Sequence, residues 1–161
     1  MSKNGLTISL NEVLFYFTRA GFGVNASIGV SEDFARSNIW IAQNGFDPSE
    51  CSLLALDNLD SQTSSLSIQF EKTGDASHLF CPEDKVLSAI EASVSCVDWL
   101  EFNGLDGDLK LTNVDSPLLV VSALGANQCT GIQVSWTDKS NNHYEVNLKD
   151  DIEWEIISSS E

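Results

Sequence analysis

Arginine and histidine are scarce in this chain of 161 residues: Arg19 and Arg36 are its arginines, and His78 and His143 its histidines. Eight basic side chains stand against 24 acids, for a formal net charge of −16. So little positive charge excludes neutralising a phosphate backbone, and the field repels anionic membrane, so neither nucleic acid nor membrane is an expected partner. Two imidazoles leave few bases for work near neutral pH, and neither has a nucleophile at motif spacing. His78 is expected in a loop and His143 at a hairpin edge, both structural. Cys51, Cys81, Cys96 and Cys129 lie far apart, with no Cys-x-x-Cys pair and no histidine at ligand spacing, so no zinc, other metal or cofactor is expected. No apolar run approaches the ~20 residues that span a bilayer. The opening M-S-K-N-G-L-T-I-S-L lacks a signal-peptide core. With reduced thiols, these absences predict a cytoplasmic protein.

The hydrophobic share is 42%, with four tryptophans and eight phenylalanines, which is globular composition. The length predicts a single domain over 1–161, helical over 1–60 and strand-rich over 65–158, with one helix near 83–100. Charge is uneven along it. Lys3, Arg19 and Arg36 balance Glu12, Glu32 and Asp33, so the whole excess of acid falls on residues 46–161. That half faces solvent, as an adaptation for solubility or salt, or it faces a basic partner.

Ser9 to Gly45 is the most legible stretch. Ser9 with Glu12 makes a capping box, and Ile8 with Val13 has the staple spacing. Leu10, Val13, Leu14 and Phe17 form an apolar stripe, and Gly21 and Gly23 are expected to end this first helix in left-handed geometry. The second helix starts between Ser27 and Ser31; the later start would put Glu32 and Asp33 in its first turn. Val30, Phe34, Ile41 and Ala42 are its expected core face, with Asp33, Arg36, Trp40 and Gln43 on another. Gly45 suits the C′ position. Asp47-Pro48-Ser49-Glu50 starts a third helix with Leu53, Leu54, Leu56 and Leu59 as its apolar face.

Leu66 to Phe70 alternates and predicts a strand, followed by a turn at Thr73-Gly74-Asp75. Pro82 to Leu100 reads as a helix. After the turn cluster 103–108, strands are expected at Leu109–Val114, at Leu118–Leu124 as a buried central strand, at Ile132–Thr137 and His143–Leu148 as a hairpin, and at Ile152–Ile157. Helices first and strands last predict an α+β fold, with N-terminal helices packed on one face of a mostly antiparallel C-terminal sheet.

Candidate chemistry is thin. Two arginines near helix ends suit a carboxylate or phosphate. The competing reading pairs Arg36 with Asp33 or Glu32, and Arg19 with the acidic body. The Gly21-Phe22-Gly23 turn follows a helix, so it is close packing and not a dinucleotide fingerprint. Asp106 and Asp108 lack the terminal glutamate of a calcium loop. Glu153 and Glu155 share one strand face, which predicts an exposed face or one covered by a basic partner.

The stretches T-I-S-L-N-E-V, T-R-A-G-F-G and S-E-D-F-A-R-S-N-I-W-I-A-Q-N-G-F-D resemble the opening of a bacterial family, the domain-of-unknown-function family numbered 3726. Ser9, Leu10, Asn11 and Glu12 fit its first box, Arg19, Ala20 and Gly21 its link, and Glu32, Ala35, Arg36, Trp40 and Gly45 its second helix. The resemblance covers the first quarter of the chain and implies no activity. It directs attention to Glu12, Arg19, Arg36 and Trp40 as ligand-binding residues. The expected function is a non-catalytic accessory subunit or binding module, with a protein partner or a second copy bound through an interface. The alternative is a small metabolic enzyme or small-anion-binding protein using Arg19, Arg36 and Glu12.

Overall fold

Ser9 closes its capping box: the Glu12 N–H donates to Ser9 Oγ (3.3 Å), and the Ser9 N–H donates to the Glu12 carboxylate (2.7 Å). In the computed structural model, which describes residues 7–82, 85–105 and 107–149, this box starts α1 (Leu10–Gly23). The helix packs on α2 (Ile28–Gln43) through Val13, Phe17 and Gly21. The Phe17 and Phe34 rings meet edge to face at 5.7 Å. A Cβ on Gly21 would stand 3.0 Å from Ser31 Oγ, so this glycine serves close helix packing. Neither Gly21 nor Gly23 supplies the left-handed residue; Asn25 does, at φ 69°. Leu10 and Leu14, expected inside, are more than a third exposed.

Ser27 caps α2 by accepting from the Val30 N–H, so the earlier start holds and Glu32 and Asp33 lie beyond the first turn. The helix ends as expected at Gly45 (φ 82°): the Phe46 N–H reaches Ile41 O and the Gly45 N–H reaches Ala42 O, a Schellman pair. Asp47 then accepts from the Ser49 N–H at the start of α3 (Ser49–Asp60). The buried face of α3 matches the expected leucine face in part: Leu56 and Leu59 pack against the core. Ser52 and Ala55 point inward, while Leu53 and Leu54 are about half exposed. A polar tie sets this rotation: buried Ser52 Oγ donates to Asn38 Oδ1, and Asn38 Nδ2 donates to Phe34 O at 2.8 Å.

The remaining elements are β1 (Ser64–Ser65), β2 (Gln69–Thr73), β3 (Ala76–Phe80), β4 (Val86–Leu87), α4 (Ala89–Asn103), β5 (Asp108–Leu111), α5 (Pro117–Ala126), β6 (Ile132–Thr137) and β7 (His143–Leu148). The fold is α+β, and antiparallel pairing predominates. The strands form three small sheets: β1 parallel to β4, β2-β3-β5, and the β6–β7 hairpin. The hairpin falls where the alternation puts it. Its five-residue loop is held by the Asp138 carboxylate, which accepts from the Ser140 and Asn142 N–H groups.

Three expected elements change. The strand over 66–70 shifts to 69–73, because Leu66 and Ile68 turn into the core. The helix from Pro82 starts instead at Ala89, capped by Ser88, because Val86–Leu87 pairs with Ser64–Ser65. The run Leu118–Leu124, expected as a strand, lies within helix α5. Pro117 occupies its first turn, and Leu119, Val120, Val121, Ala123 and Leu124 are all buried. A helix enclosed on nearly every side shows no amphipathic period, so a short apolar run does not distinguish it from a buried strand. The strand expected at 152–157, with Glu153 and Glu155, lies outside the described residues, as does Asp106.

The core runs from α2 through α3, α4 and α5 to Val146 and Leu148 of β7. Within it the Trp40 ring lies against Gly125 of α5.

Candidate functional site

The four residues singled out in the sequence do not share one place. Arg19 from α1 and Arg36 from α2 line an open groove of about 550 Å³ between the two helices, with Leu14, Phe15, Thr18 and Glu32. Arg36 is already paired: Nη1 lies 2.6 Å from Asp33 Oδ1 and Nη2 3.8 Å from Glu32 Oε2. These groups are exposed, so the pairs contribute at most about 1 kcal/mol. The Arg19 guanidinium lies over the Phe15 ring, 5.3 Å from its centre, and has no ion pair among the described residues. Glu12 stands outside the groove, its carboxyl held below the ordinary value by hydrogen bonds from Ser9. Trp40 is 8% exposed and belongs to the core, against Gly125.

The groove continues into an apolar surface. α1 packs almost wholly on α2, and its outer side shows Phe15, Tyr16 and Phe22, of which Phe15 and Phe22 are 54% and 63% exposed; Leu10 at the start of α1 and Ile28 at the start of α2 are exposed as well. Leu14-Phe15-Tyr16-Phe17 is the sequence signal for this. Four successive apolar residues encircle a helix, so they cannot all face one neighbour.

Against protein-family models, curated proteins and solved structures, the chain has no match. The roles of its residues therefore rest on their geometry.

Other reactive groups are spoken for or buried. His78, expected in a loop, lies in β3 with Nε2 2.6 Å from Thr112 Oγ1. His143 opens β7, with Nδ1 3.4 Å from Thr137 Oγ1. Burial pushes the Cys96 thiol up to about 12, and raises Cys51 and Cys129 as well, so none of these three is a thiolate near neutral pH. Among the described residues no group of three or more metal-ligating side chains could hold an ion, and no helix is long and apolar enough to cross a membrane.

Asp115 is a half-buried carboxyl at a structural junction. Leu87 bridges to Val114, which brings Asp115 to the start of α4, where Oδ1 accepts from the Ala89 N–H at 2.8 Å. Its Oδ2 and the Ser64 Oγ are buried, and among the described residues neither makes a well-formed hydrogen bond, although the Ser64 and Asn58 side chains lie close enough to act on the carboxyl. Burial raises the Asp115 carboxyl above its ordinary value of 3.8, against the pull of the Ala89 N–H and, after it, of Ser64, Asn58 and the Ser116 N–H. The folded state therefore holds this proton more tightly than the unfolded state, and stability from this group falls as pH rises from about that value. Asn at 115 keeps the acceptor for Ala89 and adds a donor for Ser64. Asp115→Asn should therefore melt above wild type at pH 7, with the difference closing toward pH 3; a parallel pair of pH–melting curves would refute this.

Proposed function

We propose that this chain is a cytoplasmic, non-catalytic accessory subunit or binding module, and that its specific contacts come from the outer face of α1. The observation that carries this is the two-sided helix. α1 buries Val13 and Gly21 against α2 and leaves Leu10, Phe15, Tyr16 and Phe22 to solvent. Exposed apolar patches on a stable body mark interaction surfaces. Aromatic anchors beside an arginine match the composition of binding hot spots. The neutral charge of residues 1–45 lets this face approach a partner that the acidic remainder would repel or attract by its sign. Unpaired thiols fit a reducing compartment.

The test is native mass spectrometry on protein isolated from its source cells, wild type beside Phe15→Ser and Phe22→Ser. Both rings are more than half exposed, so folding should be unchanged within about 0.5 kcal/mol. The wild type should carry a bound protein, a partner or a second copy, and each variant should lose at least about tenfold in affinity, as for a hot-spot side chain. Complexes of equal strength in all three proteins would rule out this face.

The second reading, a small-anion site, is favoured by Arg19, the groove arginine that has no ion pair among the described residues. Calorimetry with inorganic phosphate and with acetate tests it. Binding lost in Arg19→Gln supports that reading, and binding kept in Arg19→Gln refutes it.

A further inference from the structure

A second cleft lies on the acidic half of the molecule, away from α1. It has a volume of about 370 Å³ and runs between β2 and α4. Ile68 and Leu79 line its base, Phe70 of β2 forms one side, and Trp99 and Phe102 of α4 form the other. Phe102 is 89% exposed and Phe70 55%. Such exposure of large rings at a cleft is the cost that a binding surface carries in the free state.

The strand beside the cleft is also unsatisfied. In the sheet order β2-β3-β5, β2 is an edge, and among the described residues its outer side pairs with nothing. All five of its residues are exposed. The register places Phe70 opposite Leu79 and Lys72 opposite Ser77, both of which are buried, so Phe70 points to the face that α4 covers. An open edge offers a row of N–H and C=O groups to an incoming strand, and a neighbouring pocket selects every second side chain of it. The Trp99 Nε1–H is buried and, among the described residues, has no acceptor.

Charge chooses the occupant. Asp98 lines the cleft, Glu71 lies on β2 and Glu101 follows on α4, against Lys72 as the cation of the strand. We propose that β2 and α4 bind an extended, basic segment of another protein by strand addition. The segment pairs with the free edge of β2, puts its apolar side chains toward Phe70, Trp99 and Phe102, and sets the intervening lysine or arginine on the opposite face, beside Glu71.

The test uses the full chain and three synthetic nine-residue peptides. One alternates lysine and valine, one alternates glutamate and valine, and one is the lysine–valine peptide N-methylated at alternate amides. The lysine–valine peptide should bind, weaken with added salt, and slow amide exchange in β2 at least tenfold. Methylation removes donors but keeps the charge, so that peptide should bind at least tenfold more weakly. Phe102→Ser should weaken binding by a similar factor, while Phe22→Ser should leave it unchanged. Equal binding of the acidic or the methylated peptide, or protection elsewhere than β2, overturns the proposal. Slowed exchange in β2 that grows with protein concentration and needs no peptide also overturns it, because a second copy then takes the edge.

Discussion

Gly125→Ala should lower stability by about 2 kcal/mol, which is roughly 5 °C in melting temperature for a domain of this size. In an open helix the same change would stabilise by up to about 1 kcal/mol, because alanine loses less backbone freedom than glycine. Here the new methyl would overlap the six-membered ring of the Trp40 indole. Gly125 lies in α5 beside buried Ala123 and Leu124, and Trp40 is 8% exposed, so neither ring nor helix has free space to move into. Overpacking of this kind typically costs 1–3 kcal/mol, which exceeds the gain in helix propensity. Trp40→Leu alone should also destabilise, by about 2–4 kcal/mol, through lost contact and a cavity. In the Trp40→Leu background, however, Gly125→Ala should be neutral or stabilising. Chemical denaturation of the four proteins measures this coupling directly. Additive effects would mean that the ring and the glycine do not meet.

Asn38→Ala should cost about 2–3 kcal/mol, the second large effect. Asn38 is fully buried, and its side chain answers two groups at once: it donates to Phe34 O and accepts from Ser52 Oγ. Truncation leaves the Ser52 hydroxyl buried without a partner, and an unmatched buried polar group costs more than the net value of the bond. Ser52→Ala should cost less, because Asn38 keeps its bond to Phe34 O. The double variant should be less destabilised than the two single variants added together, since each single leaves an orphan that the double removes. Asn38→Asp should be worse than Asn38→Ala at pH 7, because it places a carboxylate in the same enclosed site. A melting series of these four variants tests the ranking. If Asn38→Ala stayed within about 0.5 kcal/mol of wild type, the tie between α2 and α3 would have no energetic weight.

Local signals in the chain carried far where they were self-contained. Ser9 with Glu12, Gly45 after α2, Asp47 before α3, and the alternation on either side of 138–142 each act over a few residues, and each element stands where they put it. The candidate groove was half legible. Two arginines on neighbouring helices do line one groove, because the turn at 24–27 folds α1 back on α2. Trp40 was misplaced because helical spacing aligns it with Arg36, while α5 lies across that part of the face and encloses it. Nothing local announces that contact. The cleft between β2 and α4 was hidden for the same reason: Phe70 and Trp99 are 29 positions apart, and their meeting depends on how the sheet seats against the helix.

The class of fold, the charge asymmetry, the Ser9 capping box, the Gly45 stop and the β6–β7 hairpin were legible in the chain alone, since propensity, capping and turn chemistry act between near neighbours. The tertiary structure alone decided that 118–124 is helix and not strand, because a segment buried on nearly all sides has no periodic pattern to read. It also decided which face of α3 turns inward, through one buried hydrogen bond between residues 14 apart. And it decided which apolar residues of α1 remain in water, because exposure depends on how many neighbours arrive, and α1 received little beyond α2.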